Sequence, residues 1–251
     1  NMAADAKIVA PSAVALAEKM YTDSLGMQDY PVPQEMTEAD IAQAKAEFVQ
    51  AAKNAIAAGF DGVELHAANG YLLEQFLSPT TNQRTDAWGG SVDNRIKFVV
   101  DVARETAAAI GGDKVGIRLS PYGTNSGMVA YPEVEETYFK LLAQLADAGL
   151  VYVHIADHSA MGAPAVPLAF KQALRKAWPR TFFIGGSLDL ASGQQAVNEG
   201  LTDLVGIGRA FLANPDLVQR LQKGLALNAP DMGTFFTPGA KGYTDYALAA
   251  A

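Results

Sequence analysis

One stretch of the sequence, DGVELHAANGYLLEQFLSP over residues 61–79, brings a histidine, an asparagine and a tyrosine together. His66 and Asn69 each offer an N–H donor, and two such donors can hold one carbonyl or phenolate oxygen. A tyrosine hydroxyl such as that of Tyr71 can act as a proton donor. These residue types therefore predict a site that polarises a carbonyl group and delivers a proton beside it. The structural alternatives are a histidine bonded to a backbone carbonyl, an asparagine serving the turn and a tyrosine packing the next helix.

The elements around this stretch alternate between short apolar strands and amphipathic helices. A helix over TEADIAQAKAEFVQAAKNAIAAGF begins at the N-cap Thr37 and ends at Gly59, and the strand DGVELHA follows it. Later strands are expected in KVGIRLSP, VYVHIA, TFFIGGS and TDLVGIG, with helical patterns between them. Continuously apolar strands separated by helices indicate an α/β fold with parallel strands covered by helices.

Several of these strands end in polar residues or glycines, namely His66, Arg118, Gly185-Gly186 and Gly208-Arg209. In a TIM-type barrel such ends lie together on the catalytic face, whereas an open doubly wound sheet gathers them at a switch point. The sequence has no early G-x-G-x-x-G followed by an acidic residue about 20 positions later. The pattern therefore favours the barrel.

The number of strands bounds the architecture. We find about five strand–helix units, and a TIM (β/α)8 barrel needs eight. We therefore expect one partial barrel domain over 1–251, with an irregular segment over 1–36, β/α units over 37–223 and a C-terminal tail over 224–251. Three explanations stay open: the first strands are on another chain, they were removed, or the strand count is wrong.

Composition narrows the function classes. The chain has 251 residues, a formal net charge of -8 and no basic stripe, which argues against a nucleic-acid or anionic-membrane partner. It has no cysteine, which excludes disulfides, thiolate nucleophiles, cysteine zinc sites and iron–sulfur clusters. No apolar run reaches the roughly 18 residues of a membrane span. We expect a cytoplasmic protein without a metal site.

Five motifs follow one another along the chain: FDGVELHAANGYLLEQFLSPTTNQRTDAWGGSVDNR, GIRLSP, FIGGS, LVGIGRAFLANPDL and GYTDY. Together they strongly resemble the Old Yellow Enzyme family of flavin-dependent ene-reductases, and the likeness runs from about residue 10 to about residue 246. The resemblance implies an eight-stranded barrel that binds FMN and uses NADPH to reduce activated C=C bonds. It also implies small-molecule partners, namely enones, nitro compounds or quinones. In this family roughly three strands precede the position at which this sequence begins.

The resemblance also implies roles for single residues. His66 and Asn69 would hold the substrate oxygen, on which negative charge develops as hydride adds to the β-carbon of an enone. One such donor can lower the activation free energy by about 3–4 kcal/mol. Tyr71 occupies the position of the family's proton donor to the α-carbon. Phe235 and Phe236 stand where the family more often has Phe-Tyr, which implies contacts with flavin or substrate.

The cofactor residues are expected at the other strand ends. Arg118 would face the negative N1–O2 edge of reduced FMN, and a structural salt bridge is its alternative. The turns at Gly185-Gly186-Ser187 and Gly208-Arg209 would bind the phosphate through bare backbone N–H groups. His154 and His158 are predicted to be structural.

A second hypothesis treats the chain as a non-catalytic fragment, or as a subunit that needs a complementary chain. The family holds its flavin ring partly with residues of the first strands, which do not occur in this sequence. A third reading, as a relative of the larger dienoyl-CoA reductases, requires a cysteine-ligated iron–sulfur cluster that this chain cannot bind.

Overall fold

The computed structural model describes residues 6–186 and 188–249. Ahead of the main sheet these residues form short strands, β1 (Val9–Ala10), β2 (Lys19–Thr22), β3 (Gly26–Asp29) and β4 (Gln34–Glu35). The pair β1–β4 is parallel, and β2–β3 is an antiparallel hairpin. The prediction of an irregular segment over 1–36 missed these strands, because two of them have only two residues and the hairpin buries no apolar face.

A parallel sheet follows. Its strands are β5 (Val63–Ala67), β6 (Val115–Leu119), β7 (Tyr152–Ala156), β8 (Thr181–Gly185) and β9 (Leu204–Gly206). They lie side by side in chain order, and every pair is parallel. A doubly wound sheet would reverse this order at a switch point, so the observed order is that of a barrel wall. Within the described residues, the outer edges of β5 and β9 pair with no further strand.

Helices connect the strands. In chain order they are α1 (Glu38–Ala57), α2 (Leu72–Leu77), α3 (Val92–Ile110), α4 (Val134–Asp147), α5 (Leu168–Ala177), α6 (Leu190–Asn198), α7 (Arg209–Ala213) and α8 (Leu217–Lys223). The predicted cap of α1 is confirmed, since Thr37 Oγ1 accepts from the Asp40 amide and Asp40 accepts from the Thr37 amide. Among the described helices, none is both long enough and apolar enough to cross a bilayer.

Alternation along the strands separates two faces. The face covered by the helices is apolar and buried: Leu65, Ala67, Ile117, Leu119, Val153, Ile155, Phe182 and Ile184. The opposite face carries Glu64, His66, Arg118, Tyr152, His154 and Phe183. Strand register places His66, Arg118, His154 and Phe183 opposite one another on four neighbouring strands. The sheet therefore gathers its polar residues on the face that is the interior of a barrel.

The loop RTDAWGGS ties the first residues to this scaffold. The guanidinium of Arg84 is buried and donates to the carbonyl oxygens of Pro11 (3.0 Å) and Met36 (2.7 Å). It also pairs with Asp86, whose carboxylate accepts the Trp88 amide. These contacts fix the loop and hold β1 and β4 beside the barrel wall.

Candidate active site

A sharp turn joins β5 to α2 and carries the candidate catalytic residues. Asn69 has φ +61° and Gly70 has φ +75°, the left-handed region that asparagine and glycine adopt most readily. The Asn69 amide donates to Ser120 Oγ (2.9 Å), and the Gly70 amide donates to Glu74 (2.6 Å). The chain thereby reverses within a few residues, and the His66 and Tyr71 rings lie 5.0 Å apart between centroids.

A buried carboxyl group supports this turn from below. Glu74 accepts from the Gly70 amide, from Ser120 Oγ (2.6 Å) and from the Tyr138 hydroxyl (3.1 Å). Burial raises the pKa of Glu74 to about 7, against the effect of these hydrogen bonds. The carboxyl group thus links the turn to β6 and α4, and sequence reasoning did not single it out.

Charge and burial determine the protonation of His66 on β5 and of Arg118, which lies opposite it on β6. Burial and the neighbouring Arg118 charge lower the pKa of His66, so its imidazole is neutral at pH 7 and can donate through one N–H. Burial also lowers the pKa of Arg118, which nevertheless remains charged. Within the part of the chain that the structure describes, no acidic side chain lies within salt-bridge distance of Arg118. The structural alternative for this arginine, a direct salt bridge, is therefore not formed there.

A cavity of about 420 Å³ opens beside Arg118 at the carboxyl ends of the strands. Gly185 and Gly206 approach closely, since a Cβ on Gly206 would lie 3.2 Å from the Gly185 Cα. Gly186 has φ +122°, and a Cβ there would collide with the Asp157 carbonyl oxygen. The residues that line the cavity are Arg118, His154, Asp157, His158, Ala160, Met161, Gly185, Gly186, Gly206, Ile207, Gly208, Arg209 and Phe235. Such a volume, with bare backbone and two arginines, suits a small phosphate-bearing ligand.

The predicted site residues fall into two adjoining groups. His66, Asn69 and Tyr71 lie on β5 and its turn, next to Arg118 on β6. Six of the predicted cofactor residues line the cavity, namely Arg118, Gly185, Gly186, Gly208, Arg209 and Phe235. The seventh, Ser187, lies outside the described residues.

Phe236 requires a correction. It was predicted to contact substrate, but its side chain is 99% exposed and it does not line the cavity. A 3₁₀ turn, Met232–Thr234, precedes the two phenylalanines, and Phe235 is its C-cap residue. Because neighbouring residues beyond that turn point in different directions, Phe235 faces the cavity while Phe236 faces solvent.

Two histidines that the sequence predicted to be structural also border the cavity. His154 contacts Glu64 (3.1 Å) and stacks on Phe183 at 4.0 Å, and its buried Nε2 has no hydrogen-bond partner among the described residues. His158 Nε2 lies 2.7 Å from Asn69 Oδ1, so this histidine touches a predicted catalytic residue. One signal could have identified His158, namely its position two residues beyond the carboxyl end of β7.

Comparisons with known proteins agree with this geometry. A family model described as NADH:flavin oxidoreductase / NADH oxidase matches residues 1–228. The chain is 44% identical over 232 residues to chanoclavine-I aldehyde reductase fgaOx3 of Penicillium roqueforti, covering 88% of this chain and 62% of that protein. It is 39% identical over 251 residues to a probable flavin mononucleotide-dependent alkene reductase of Leishmania infantum, covering 98% and 67%.

Among solved structures, the old yellow enzyme homologue from Zymomonas mobilis superposes with a TM-score of 0.90 at 31% identity. The match covers 97% of this chain and 69% of that one. The predicted fold class is confirmed: the chain supplies a run of β/α units of a TIM (β/α)8-type barrel. It spans between 62% and 69% of the length of these three proteins.

Proposed function

We propose that this chain, which belongs to the NADH:flavin oxidoreductase / NADH oxidase family, reduces the activated C=C bond of α,β-unsaturated carbonyl compounds. The resemblance to Old Yellow Enzymes is confirmed at the level of family. The hydride source is NADPH, and the resident cofactor is FMN. One observation carries the proposal: His66 and Tyr71 meet at 5.0 Å on the turn that adjoins Arg118 and the glycine-lined cavity.

The residues around the cavity fit FMN. Arg118 is a half-buried cation without an acidic side chain at salt-bridge distance among the described residues, and its charge suits an electron-rich ring edge. Gly186, Gly208 and Arg209 offer backbone N–H groups and a guanidinium to a phosphate, and Phe235 adds an apolar wall. When bound there, FMN supplies the hydride chemistry that protein side chains lack.

The chain's own residues then act on the substrate. Neutral His66 and the carboxamide of Asn69 donate to the carbonyl oxygen, where negative charge develops as the β-carbon gains hydride. Tyr71 donates its hydroxyl proton to the α-carbon, and its 57% exposure leaves the hydroxyl accessible to a substrate.

The names of the relatives support this substrate class. One similar protein is an aldehyde reductase and another a flavin mononucleotide-dependent alkene reductase, which together point to a double bond beside a carbonyl. Nitro compounds and quinones present comparable acceptor oxygens next to an electron-poor bond, and we include them as substrates.

The decisive experiment measures flavin and turnover on the purified chain. We expect visible flavin absorbance after incubation with FMN, and NADPH consumption with 2-cyclohexenone but not with cyclohexanone. Paired substitution of His66→Ala and Asn69→Ala should abolish enone turnover without abolishing flavin absorbance. A chain that stays colourless with FMN contradicts activity of this chain alone. It favours the alternative, a fragment or subunit that binds flavin only with a complementary chain.

A further inference from the structure

We propose that His158 is a positioning residue that, together with Asn125, fixes the carboxamide of Asn69 so that its NH2 group faces the ligand oxygen. The inference deepens the proposed function and rests on it. His158 Nε2 lies 2.7 Å from Asn69 Oδ1, and Asn125 Nδ2 lies 3.4 Å from the same oxygen. Both groups come from loops beyond neighbouring strands, at 125 after β6 and at 158 after β7.

The chemistry of a carboxamide makes this contact decisive. The group has one oxygen that accepts and one nitrogen that donates, and a half-turn about its terminal bond exchanges them. When the oxygen accepts from His158 and Asn125, only the NH2 group is left to meet a ligand. The reversed orientation would present an acceptor to the negatively charged oxygen of the substrate, which is repulsive. His158 therefore decides whether Asn69 binds that oxygen.

The protonation of His158 agrees with a donor role. Burial and the charge of Arg118 lower the pKa of His158, while Asp157 acts in the opposite direction. A neutral imidazole carries one N–H, so donation to Asn69 requires the Nε2–H tautomer and leaves Nδ1 unprotonated.

The surrounding backbone leaves Asn69 few other orientations. Its own amide is held by Ser120, and its φ of +61° fixes the direction of the side chain. The next residue, Gly70, packs under the 3₁₀ turn Asn125–Gly127, because a Cβ on Gly70 would lie 2.8 Å from the Asn125 carbonyl oxygen. The turn at 69–70 and the loop that carries Asn125 therefore pack directly against each other.

The first test needs no cofactor. The chain has three histidines, so nitrogen-15 NMR of the labelled full chain can resolve each ring, with His66→Gln and His154→Gln for assignment. We expect His158 as the Nε2–H tautomer, with an Nε2–H signal that shifts in Asn69→Ala. An Nδ1–H tautomer with Nε2 unprotonated would mean that Asn69 donates to His158, and the proposal would be overturned.

The second test measures ligand affinity on the FMN-loaded chain, with 4-chlorophenol as the probe. His158→Phe removes the donor and should weaken phenol binding about tenfold, the effect of losing one oriented hydrogen bond. His158→Gln places an N–H at a similar distance from the backbone and should restore most of the affinity. Phe60→Ala, a change at an exposed residue that precedes β5 and does not line the cavity, should stay within about twofold of the unsubstituted chain.

The outcomes separate the two claims. If His158→Phe binds the phenol as tightly as the unsubstituted chain, or if His158→Gln fails to restore binding, His158 does not position Asn69. If the unsubstituted chain carries flavin but binds no phenol, the proposed function fails, and the tautomer measurement decides the role of His158.

Discussion

At the scale of single residues, the turn after β5 combines strain and support. Asn69 holds a left-handed backbone conformation that costs a non-glycine residue about 1 kcal/mol or more. Hydrogen bonds from the turn to Ser120 and Glu74 offset this cost and keep the turn in place without any ligand. The candidate donors are therefore oriented in advance, which is how fixed dipoles stabilise a developing charge efficiently.

The role of Tyr71 is tested by removing only its hydroxyl. We expect Tyr71→Phe to slow enone reduction by about 100-fold, since general acids typically contribute that much or more. Reduction of the bound flavin by NADPH should proceed at an unchanged rate, because that step needs no proton from Tyr71. Stopped-flow absorbance separates the two half-reactions. Tyr21→Phe is the control, because Tyr21 is 68% exposed on the hairpin strand β2. Slow flavin reduction with unchanged enone turnover would contradict the assignment.

The buried carboxyl of Glu74 predicts a dependence of stability on pH. Its pKa is raised from 4.5 to about 7, so the native state binds this proton more tightly than the unfolded chain. The resulting stabilisation is complete below pH 4.5 and is lost as the pH rises to about 7. It amounts to on the order of 3 kcal/mol.

Glu74→Gln removes this titration. The free energy of unfolding of the unsubstituted chain, relative to the variant, should fall by a few kcal/mol between pH 5 and pH 8. Urea denaturation at four pH values measures it. The matched control is Glu18→Gln, which makes the same substitution at an exposed position. A difference for Glu74→Gln that does not change with pH would show that the Glu74 carboxyl titrates alike in both states.

Sequence reasoning proposed candidate residues that lie close together in the chain and missed contacts between residues that are distant in it. His66, Asn69 and Tyr71 lie within one short motif, and Arg118 lies in an apolar strand, so the residue types and the family resemblance together predicted their roles. The contacts of His158 with Asn69 span 89 positions, and those of Ser120 with Glu74 span 46. Such contacts depend on strand order and register, which one sequence does not specify.

At the scale of elements, register decides which side chains share the inner face. The helices were predictable because their apolar periodicity is long and regular, and the central strands because each is a short, continuously apolar run between helical patterns. The short strands β1 to β4 were not, because a hairpin or a two-residue bridge leaves little pattern to detect. Phe236 shows the same limit at a tail, where no periodicity tells which of two adjacent aromatics faces inward.

One glycine on β6 tests how tightly the inner face packs. A Cβ on Gly116 would lie 2.1 Å from Cζ of Tyr152, so the ring occupies the space that a side chain would need. We expect Gly116→Ala to lower the free energy of unfolding by about 1–3 kcal/mol, the usual effect of overpacking. Gly208→Ala is the control for stability, since a Cβ there meets no atom within 4 Å.

A double substitution shows whether Tyr152 is the cause. Combining Gly116→Ala with Tyr152→Ala should destabilise the chain by less than the sum of the two single effects. Chemical denaturation gives all three values. Strict additivity would mean that the alanine at 116 acts through some other neighbour.

At the scale of the whole molecule, the sheet is a barrel wall whose outer strands, β5 and β9, each have one strand partner among the described residues. The described residues pair β5 only with β6, and β9 only with β8, while the inward face carries the candidate catalytic histidine and arginine. Unpaired strand edges bind further strands readily. Whether a further strand binds at these edges in solution can therefore be tested by measuring the protection of their backbone amides.

Hydrogen exchange of the backbone amides tests this arrangement. Strand β7 lies at the centre of the sheet with a strand on each side, so its amides over Tyr152–Ala156 should exchange slowest. Strand β9 has three residues and one partner, so its amides should exchange at least 100-fold faster. Protection of β9 equal to that of β7 would contradict a free edge, because a further strand bonded to β9 would slow its amides in this way. Repeating the measurement at several protein concentrations then distinguishes the source of that strand, since pairing between copies of this chain weakens on dilution, whereas pairing within one molecule does not.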